Sequence, residues 1–114
     1  MKLPNAPNAV VDLRKLTEYA LNIEHERGKH KARLFQAFLG LGVQDAPALR
    51  EALLDAAHTL EAEDRGSYGR SARYMIEFRM TWKERQALVR SVWEVREGED
   101  FPRLVTCLPM RERT

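Results

Sequence analysis

The period of the apolar residues changes near Gly66 and Gly69, and no other feature of the sequence constrains the fold as strongly. Before these glycines apolar residues recur about every 3.6 positions, and after them they alternate with polar residues, as in a half-buried strand. Helices that precede strands in the chain tend to pack on one face of an antiparallel sheet. The sequence therefore predicts an α+β fold, with three N-terminal helices packed on one face of a three- to four-stranded antiparallel β-meander.

Three helices are predicted ahead of the glycines. The first covers about residues 12–21, with Asp12 as its cap, and the second covers about residues 29–39, with Gly40 suited to a left-handed C-cap. The third begins at Asp45 and tolerates Pro47 in its first turn. Its expected buried stripe consists of Leu49, Leu53, Ala56, Ala57 and Leu60.

Three strands are predicted after the glycines, over residues 74–80, 87–96 and 104–108. A short turn over residues 82–86 joins the first two strands, and a second turn over residues 98–100 leads to the third. Cys107 lies within the last of these strands, where a thiol usually behaves as a small apolar side chain. The pattern is that of a hairpin followed by one further strand.

Length and composition indicate one cytoplasmic domain. The 114 residues have room for a single unit, so residues 1–114 are treated as one domain. No apolar run approaches the roughly 20 residues of a membrane span, and no signal-peptide stretch follows Met1. Cys107 is the sole cysteine, so no disulfide is expected. We expect a cytoplasmic protein that makes no contact with a membrane.

Neither a metal nor a cofactor is expected. His25 and His30 lie near Glu24 and Glu26, but their spacing follows no common metal-binding pattern. The sequence also has no Gly-rich phosphate loop, no Ser-centred elbow and no paired-carboxylate signature.

The charges of the chain are segregated, although the net charge is only +2. Residues 27–33 contain four basic residues, one histidine and no acid, and residues 65–96 are also rich in arginine. Residues 42–64 are acidic, with Arg50 as their single cation. Such a distribution predicts a surface that faces a polyanion, although solvated faces with weak ion pairs are an alternative interpretation.

The start of the second helix is the most informative charged segment. It carries several cations where the helix dipole disfavours them, and its free backbone N–H groups suit a phosphate or another anion. Lys31 projects near the middle of the apolar stripe, so it must extend past the helix end or point into a concave site. His30 lies at the margin of the stripe, either as a hydrogen-bonded packing histidine or as a residue that reaches a cleft.

Four segments stand out together: LPNA at residues 3–6, GKHKAR at 28–33, VRSVW at 89–93 and DFPRLVTC at 100–107. Together they resemble a small bacterial family of uncharacterised domains that occur alone or at the C-termini of polymorphic toxins. The layout of that family looks like the barnase, EndoU, colicin and RelE group of metal-independent ribonucleases, so the resemblance implies RNA cleavage. The chain departs from the expected pattern at Leu108, which stands in place of an aromatic residue.

RNA cleavage requires few groups, because the 2′-hydroxyl of the substrate is the nucleophile and no metal is obligatory. One group must move protons, and cations must stabilise the charge that develops on the phosphate. The catalytic candidates are His30, Lys31, Arg90 and Thr106. The substrate-binding candidates are Lys29, Arg33, Ser91, Trp93 and Arg103.

Strand geometry limits how these candidates can meet. In a regular strand Arg90 and Ser91 lie on opposite faces, and so do Arg103 and Thr106, so a shared site needs a bulge or a sheet edge. Trp93 can stack on a base, but its spacing is also typical of a core residue.

The hypothesis from the sequence is a small ribonuclease toxin that cleaves RNA, with tRNA or mRNA as possible substrates. Its expected partner is a cognate antitoxin or immunity protein, and its oligomeric state stays open. The main alternative is a basic binding module for nucleic acid or for an acidic protein, without enzymatic activity. An antitoxin or immunity protein is a third alternative, which would favour acidic rather than basic clusters.

Overall fold

The helices occupy the first half of the chain, in a computed structural model that describes residues 1–111. Helix α1 is α-helical over Leu13–Lys15 and continues as a π-helix over Leu16–Ala20. Helix α2 covers Lys29–Leu39, and helix α3 covers Ala46–Thr59. Short 3₁₀ turns at Ala6–Asn8 and Val43–Asp45 precede α1 and α3. No helix in this part of the chain is both long and apolar enough to cross a membrane.

Four strands follow: β1 at Glu63–Tyr68, β2 at Ser71–Trp82, β3 at Arg85–Arg96 and β4 at Arg103–Met110. They form one antiparallel sheet in the order β1-β2-β3-β4. Helix α2 packs against β3 and β4, and α3 packs against β2. The predicted α+β fold, three helices followed by an antiparallel meander, is confirmed.

Strand β1 has no counterpart among the three strand segments predicted individually. All six of its residues are exposed, so it lacks the alternation of burial on which the strand predictions depend. It also contains Gly66, which adopts a positive φ of 84° at an irregularity in the pairing with β2. The turn between β2 and β3 is shorter than expected, because the strands extend to Trp82 and from Arg85.

The core lies between the helices and one face of the sheet. Its largest fully buried side chains include Trp93 from β3 and Phe35 from α2. The expected stripe of α3 is confirmed except at Leu60, which is 38% exposed because the helix ends at Thr59 and the chain turns towards β1. Burying apolar surface at about 25 cal/mol per Å² makes this layer the main source of stability.

Helix α2 has the bounds that the sequence predicts. Gly40 follows it at a φ of 72°, and its N–H group bonds back to the carbonyl of Gln36 at 2.9 Å. This left-handed cap ends the helix and satisfies one of its last carbonyl groups.

Cys107 is expected to be inert towards thiol reagents in the folded protein and reactive after unfolding. Its side chain is fully buried in β4, and this burial raises the pKa of the thiol to about 12, so the reactive thiolate is scarce near neutral pH. The unfolded chain releases this proton near the ordinary thiol pKa of about 8.5, so stability falls as the pH rises from there towards 12. Labelling with iodoacetamide with and without denaturant measures the difference, and fast labelling of the native protein would contradict the expectation.

Candidate functional site

A cleft of about 780 Å³ opens between α1, the turn that precedes α2, and strand β4. The volume is in the usual range for pockets that bind small molecules or parts of larger ligands. Its lining consists of Asp12, Arg14, Lys15, Glu18, Tyr19, His25, Lys31, Val105 and Thr106.

Lys31 is the central polar residue of the cleft. Its ammonium group donates hydrogen bonds to Thr106 Oγ1 at 2.8 Å and to the hydroxyl of Tyr19 at 3.3 Å. It also lies 4.9 Å from the centroid of the Tyr19 ring, a favourable cation–π distance. An ammonium group has three N–H donors, so one donor is left for a ligand in the cleft.

The first helix brings Tyr19 to this position through its π-helical turn. The N–H of Leu21 bonds to the carbonyl of Leu16 at 2.8 Å, which is the i to i+5 bond of a π-helix. Such turns occur frequently at functional sites. Glu18 and Tyr19 lie within this turn, and both line the cleft.

Gly28 allows the start of α2 to lie directly against Tyr19. A Cβ atom built on Gly28 would lie 2.3 Å from the carbonyl oxygen of Tyr19. The φ of Gly28 is −88°, which any residue adopts, so glycine is required here by close approach and not by backbone conformation.

His25 is the histidine that lines the cleft, and it also organises the turn before α2. Its Nδ1 accepts hydrogen bonds from the backbone N–H groups of Arg27 at 3.0 Å and Gly28 at 2.9 Å. The neutral imidazole therefore carries its proton on Nε2. The ring also packs edge-on against Tyr19, with 4.9 Å between centroids. His25 precedes the two N–H groups that it accepts from by two and three residues, as a helix-capping residue does. This spacing is the sequence signal that would have identified His25.

These contacts occupy N–H groups that the sequence predicted to be open to an anion. The N–H groups of Arg27 and Gly28 bond to the His25 ring, and the N–H of Lys29 bonds to the His25 carbonyl at 2.8 Å. The cations of the cleft, rather than the helix N-terminus alone, therefore favour a negatively charged ligand.

Two of these cations have no carboxylate partner within residues 1–111. Arg14 pairs with Asp12 at 3.1 Å, and its hydrogen bonds hold the pKa of that carboxyl below its usual value. Lys15 instead approaches the carbonyl of Val105 at 3.5 Å, and Lys31 bonds to hydroxyl groups. The cleft therefore carries positive charge that is not neutralised by its own acids, apart from the exposed Glu18.

An irregularity in β4 brings Thr106 to the cleft. Leu104 pairs with Trp93, but Thr106 pairs with Val92, so Val105 is an extra residue in β4. This bulge also places Arg103 and Thr106 at register positions of the same face, whereas a regular strand would separate them.

The other predicted site residues lie elsewhere. On α2, His30 and Arg33 are exposed and Lys29 is half-buried. Within residues 1–111, none of these three residues lines the cleft. Arg90 pairs with Glu77 at 3.6 Å across the sheet. Of the nine predicted residues, the structure thus brings Lys31 and Thr106 together in the cleft.

Arg103 is held outside the cleft by a carboxylate. It donates two hydrogen bonds to Glu99, at 2.9 and 2.8 Å, and lies 4.8 Å from the ring centroid of Phe101. These bonds hold the pKa of Glu99 below its usual value.

Ser91 and Trp93 lie in the core and do not line the cleft. Trp93 Nε1 donates to Ser91 Oγ at 2.9 Å, and Ser91 donates to the carbonyl of Ile76 at 2.9 Å. Both residues are fully buried, so the interpretation of Trp93 as a core residue is the one that fits the structure. Their polar groups satisfy each other and the backbone, which removes the cost of burying them.

The sequence from residue 2 to residue 111 matches the model of a family described as Domain of unknown function (DUF6883). The chain belongs to this family. Among curated proteins, none matches this chain significantly. A solved structure, the contact-dependent growth inhibition toxin–immunity protein complex from Klebsiella pneumoniae 342, contains a chain of similar fold. The TM-score is 0.69 at 16% identity, and the match covers 94% of this chain and 97% of that chain.

Proposed function

We propose that this DUF6883 domain is a toxin module that cleaves RNA without a metal ion, and that the cleft around Lys31 is its active site. The observation that carries the proposal is the Lys31 ammonium group, which bridges Thr106 and Tyr19 in an open cleft and keeps one donor for a ligand. The fold shared with a chain of a toxin–immunity protein complex supports the toxin assignment.

The reaction is an attack of the RNA 2′-oxygen on the neighbouring phosphorus. The bond from the 2′-oxygen to phosphorus forms, the bond from phosphorus to the 5′-oxygen breaks, and a 2′,3′-cyclic phosphate remains. The 2′-hydroxyl must lose a proton, and the departing 5′-oxygen must gain one. Negative charge accumulates on the phosphate in between, and Lys31 is placed to stabilise it.

Three other side chains of the cleft complete the proposed mechanism. The carboxylate of Glu18 accepts the 2′-hydroxyl proton, and the phenol of Tyr19 donates a proton to the 5′-oxygen. His25 donates a hydrogen bond to the phosphate from Nε2, because its Nδ1 already accepts two backbone N–H groups. The roles of Glu18 and Tyr19 follow from their place on the same π-helical turn of the lining.

The cations outside the cleft have a separate role in the proposal, which is to bind RNA. Lys29, Arg33, Arg90 and Arg103 bind the parts of the RNA that extend beyond the cleft, through contacts with backbone phosphates. The exposed His30 lies outside the cleft and is not one of the proton-transfer groups. A cognate immunity protein is the proposed partner, and the cytoplasm, where RNA is accessible, is the proposed site of action.

The proposal is tested with purified domain and total bacterial RNA. We expect cleavage products that end in a 2′,3′-cyclic phosphate, formed equally well in excess EDTA. Cleavage that EDTA abolishes would overturn the metal-independent mechanism. RNA binding that weakens steeply with salt, without any cleavage, would instead support a binding module.

Two histidine variants test the placement of the site. We expect His25→Ala to slow RNA cleavage by about 100-fold, since it removes a hydrogen-bond donor at the phosphate and the acceptor that orders the turn. The matched variant His30→Ala should cleave RNA at the wild-type rate, because His30 is exposed and outside the cleft. Circular dichroism checks that both variants are folded. The opposite order of effects would move the catalytic site towards His30.

A further inference from the structure

A second groove lies between α3 and β2, towards the edge of the sheet that is opposite to the cleft of Lys31. Its volume is about 680 Å³, and its floor is apolar, with the buried side chains of Phe78 and Met80 and the half-buried side chain of Trp82. Leu60, at the end of α3, adds an apolar surface that is 38% exposed. Because Phe78 and Met80 are covered by the packed core, the accessible apolar surface of the groove belongs to Trp82 and Leu60.

The groove lies along an open strand edge. Strand β1 pairs with β2 only up to Met75, and no other strand within residues 1–111 pairs with the outer edge of β2 beyond that residue. Five consecutive residues of β2, 78–82, line the groove, so it is the edge of the strand and not only one of its faces that is accessible. Such an edge presents N–H and C=O groups that an added strand can bond.

The rim of the groove is acidic. Glu51 and Asp55 lie one helical turn apart on the exposed side of α3, and within residues 1–111 neither carboxylate forms an ion pair. The lining also contains one cation, Arg79, so its carboxylates outnumber its cations by one. The rim therefore favours a ligand that carries positive charge.

We propose that this groove binds an extended segment of a partner protein, in which apolar residues alternate with Lys or Arg, as an additional strand beside β2. The backbone of the segment bonds to the open edge, and its cations lie on the side that faces α3. There their charged ends reach Glu51 and Asp55, and their apolar stems cover Trp82 and Leu60. The groove borders β2, whereas the cleft of Lys31 borders β4 at the opposite side of the sheet. The proposal is therefore independent of RNA cleavage.

A synthetic peptide of alternating lysine and valine is the probe. Added to the full chain labelled with ¹⁵N, it should shift the backbone amide resonances of residues 76–82 and protect those amides from hydrogen exchange. A peptide of alternating glutamate and valine, and a lysine–valine peptide N-methylated on the backbone, should not do so. The first control removes the charge complementarity, and the second removes the donors that strand addition needs.

Charge reversal on α3 gives a second test. The double variant Glu51→Lys/Asp55→Lys should bind the lysine–valine peptide about tenfold more weakly or not at all. The matched variant Glu24→Lys/Glu26→Lys changes the net charge equally at exposed positions elsewhere and should bind as the wild type does. If the first variant does not fold, the two control peptides still decide the question on the wild-type chain.

Three results would overturn the proposal. One is the absence of shifts at residues 76–82 with the lysine–valine peptide. Another is equal binding of the glutamate–valine peptide. The third is the appearance of the same resonance shifts when the protein concentration is raised without any peptide, together with a dimer in analytical ultracentrifugation. A second copy of the chain would then occupy the groove.

Discussion

Replacing Lys31 by methionine is expected to reduce RNA cleavage about 100- to 1,000-fold. Methionine preserves most of the length of the side chain, but it removes the ammonium group that bonds to Thr106 and Tyr19 and faces the cleft. A single donor that stabilises developing negative charge is typically responsible for a factor of this size. Since the charge is largest in the transition state, kcat should fall more than KM rises.

Lys29→Met is the matched control for this variant. Lys29 lies in the same turn of α2 and carries the same charge, but it does not line the cleft. We expect it to change cleavage only through weaker, salt-dependent RNA binding. Single-turnover rates for both variants, with thermal unfolding as a check of the fold, measure the difference. Equal losses in the two variants would show that Lys31 acts only by adding to the general positive charge.

Gly28→Ala is expected to destabilise the protein by about 3 kcal/mol. The added methyl group would lie 2.3 Å from the carbonyl oxygen of Tyr19, and this neighbour is backbone, which cannot rotate away as a side chain can. Relief of the contact requires α2 to move away from α1. The same movement would separate Lys31 from Tyr19, so cleavage should fall together with stability.

Urea unfolding measures the change in stability, and Gly98→Ala is a useful comparison. Gly98 has a φ of 84°, and apart from its chain neighbours no heavy atom of residues 1–111 lies within 4 Å of the position that a Cβ would take there, so alanine suffers only backbone strain. We expect a loss of about 1 kcal/mol for that variant, clearly less than for Gly28→Ala. A Gly28→Ala protein as stable as the wild type would show that the start of α2 can shift without cost.

The parts of the fold that depend on local signals could be predicted from the sequence. Helix α2 has an apolar stripe and a terminal glycine, so its bounds, Lys29–Leu39, agree with the prediction. Strand β1 lacks a buried face and contains Gly66, so neither periodicity nor composition indicated it. Its strand conformation depends on pairing with β2, which is a tertiary effect.

The candidate site could be predicted only in part. Lys31 stood out because a cation in an apolar stripe needs a special environment, and the structure provides one. Tyr19 reaches the cleft through a π-helical turn, and a helical wheel with a period of about 3.6 does not show such a turn. The hydrogen bonds that His25 accepts are local, but its ring contact with Tyr19 depends on the packing of the turn before α2 against α1. Contacts of this kind have no signature in the spacing of residues.

The extra residue in β4 determines which side chains each half of that strand directs towards the helices. Leu104 and Cys107 are both buried although three positions separate them, whereas two positions separate Cys107 from the buried Pro109. Side chains alternate along a strand, so without Val105 the residues Leu104 and Cys107 would stand two positions apart and would still share one face, with the pairing to β3 intact. Loss of the codon for Val105 should therefore be tolerated better than loss of any later codon in β4, which would turn the remaining side chains to the opposite face of the strand.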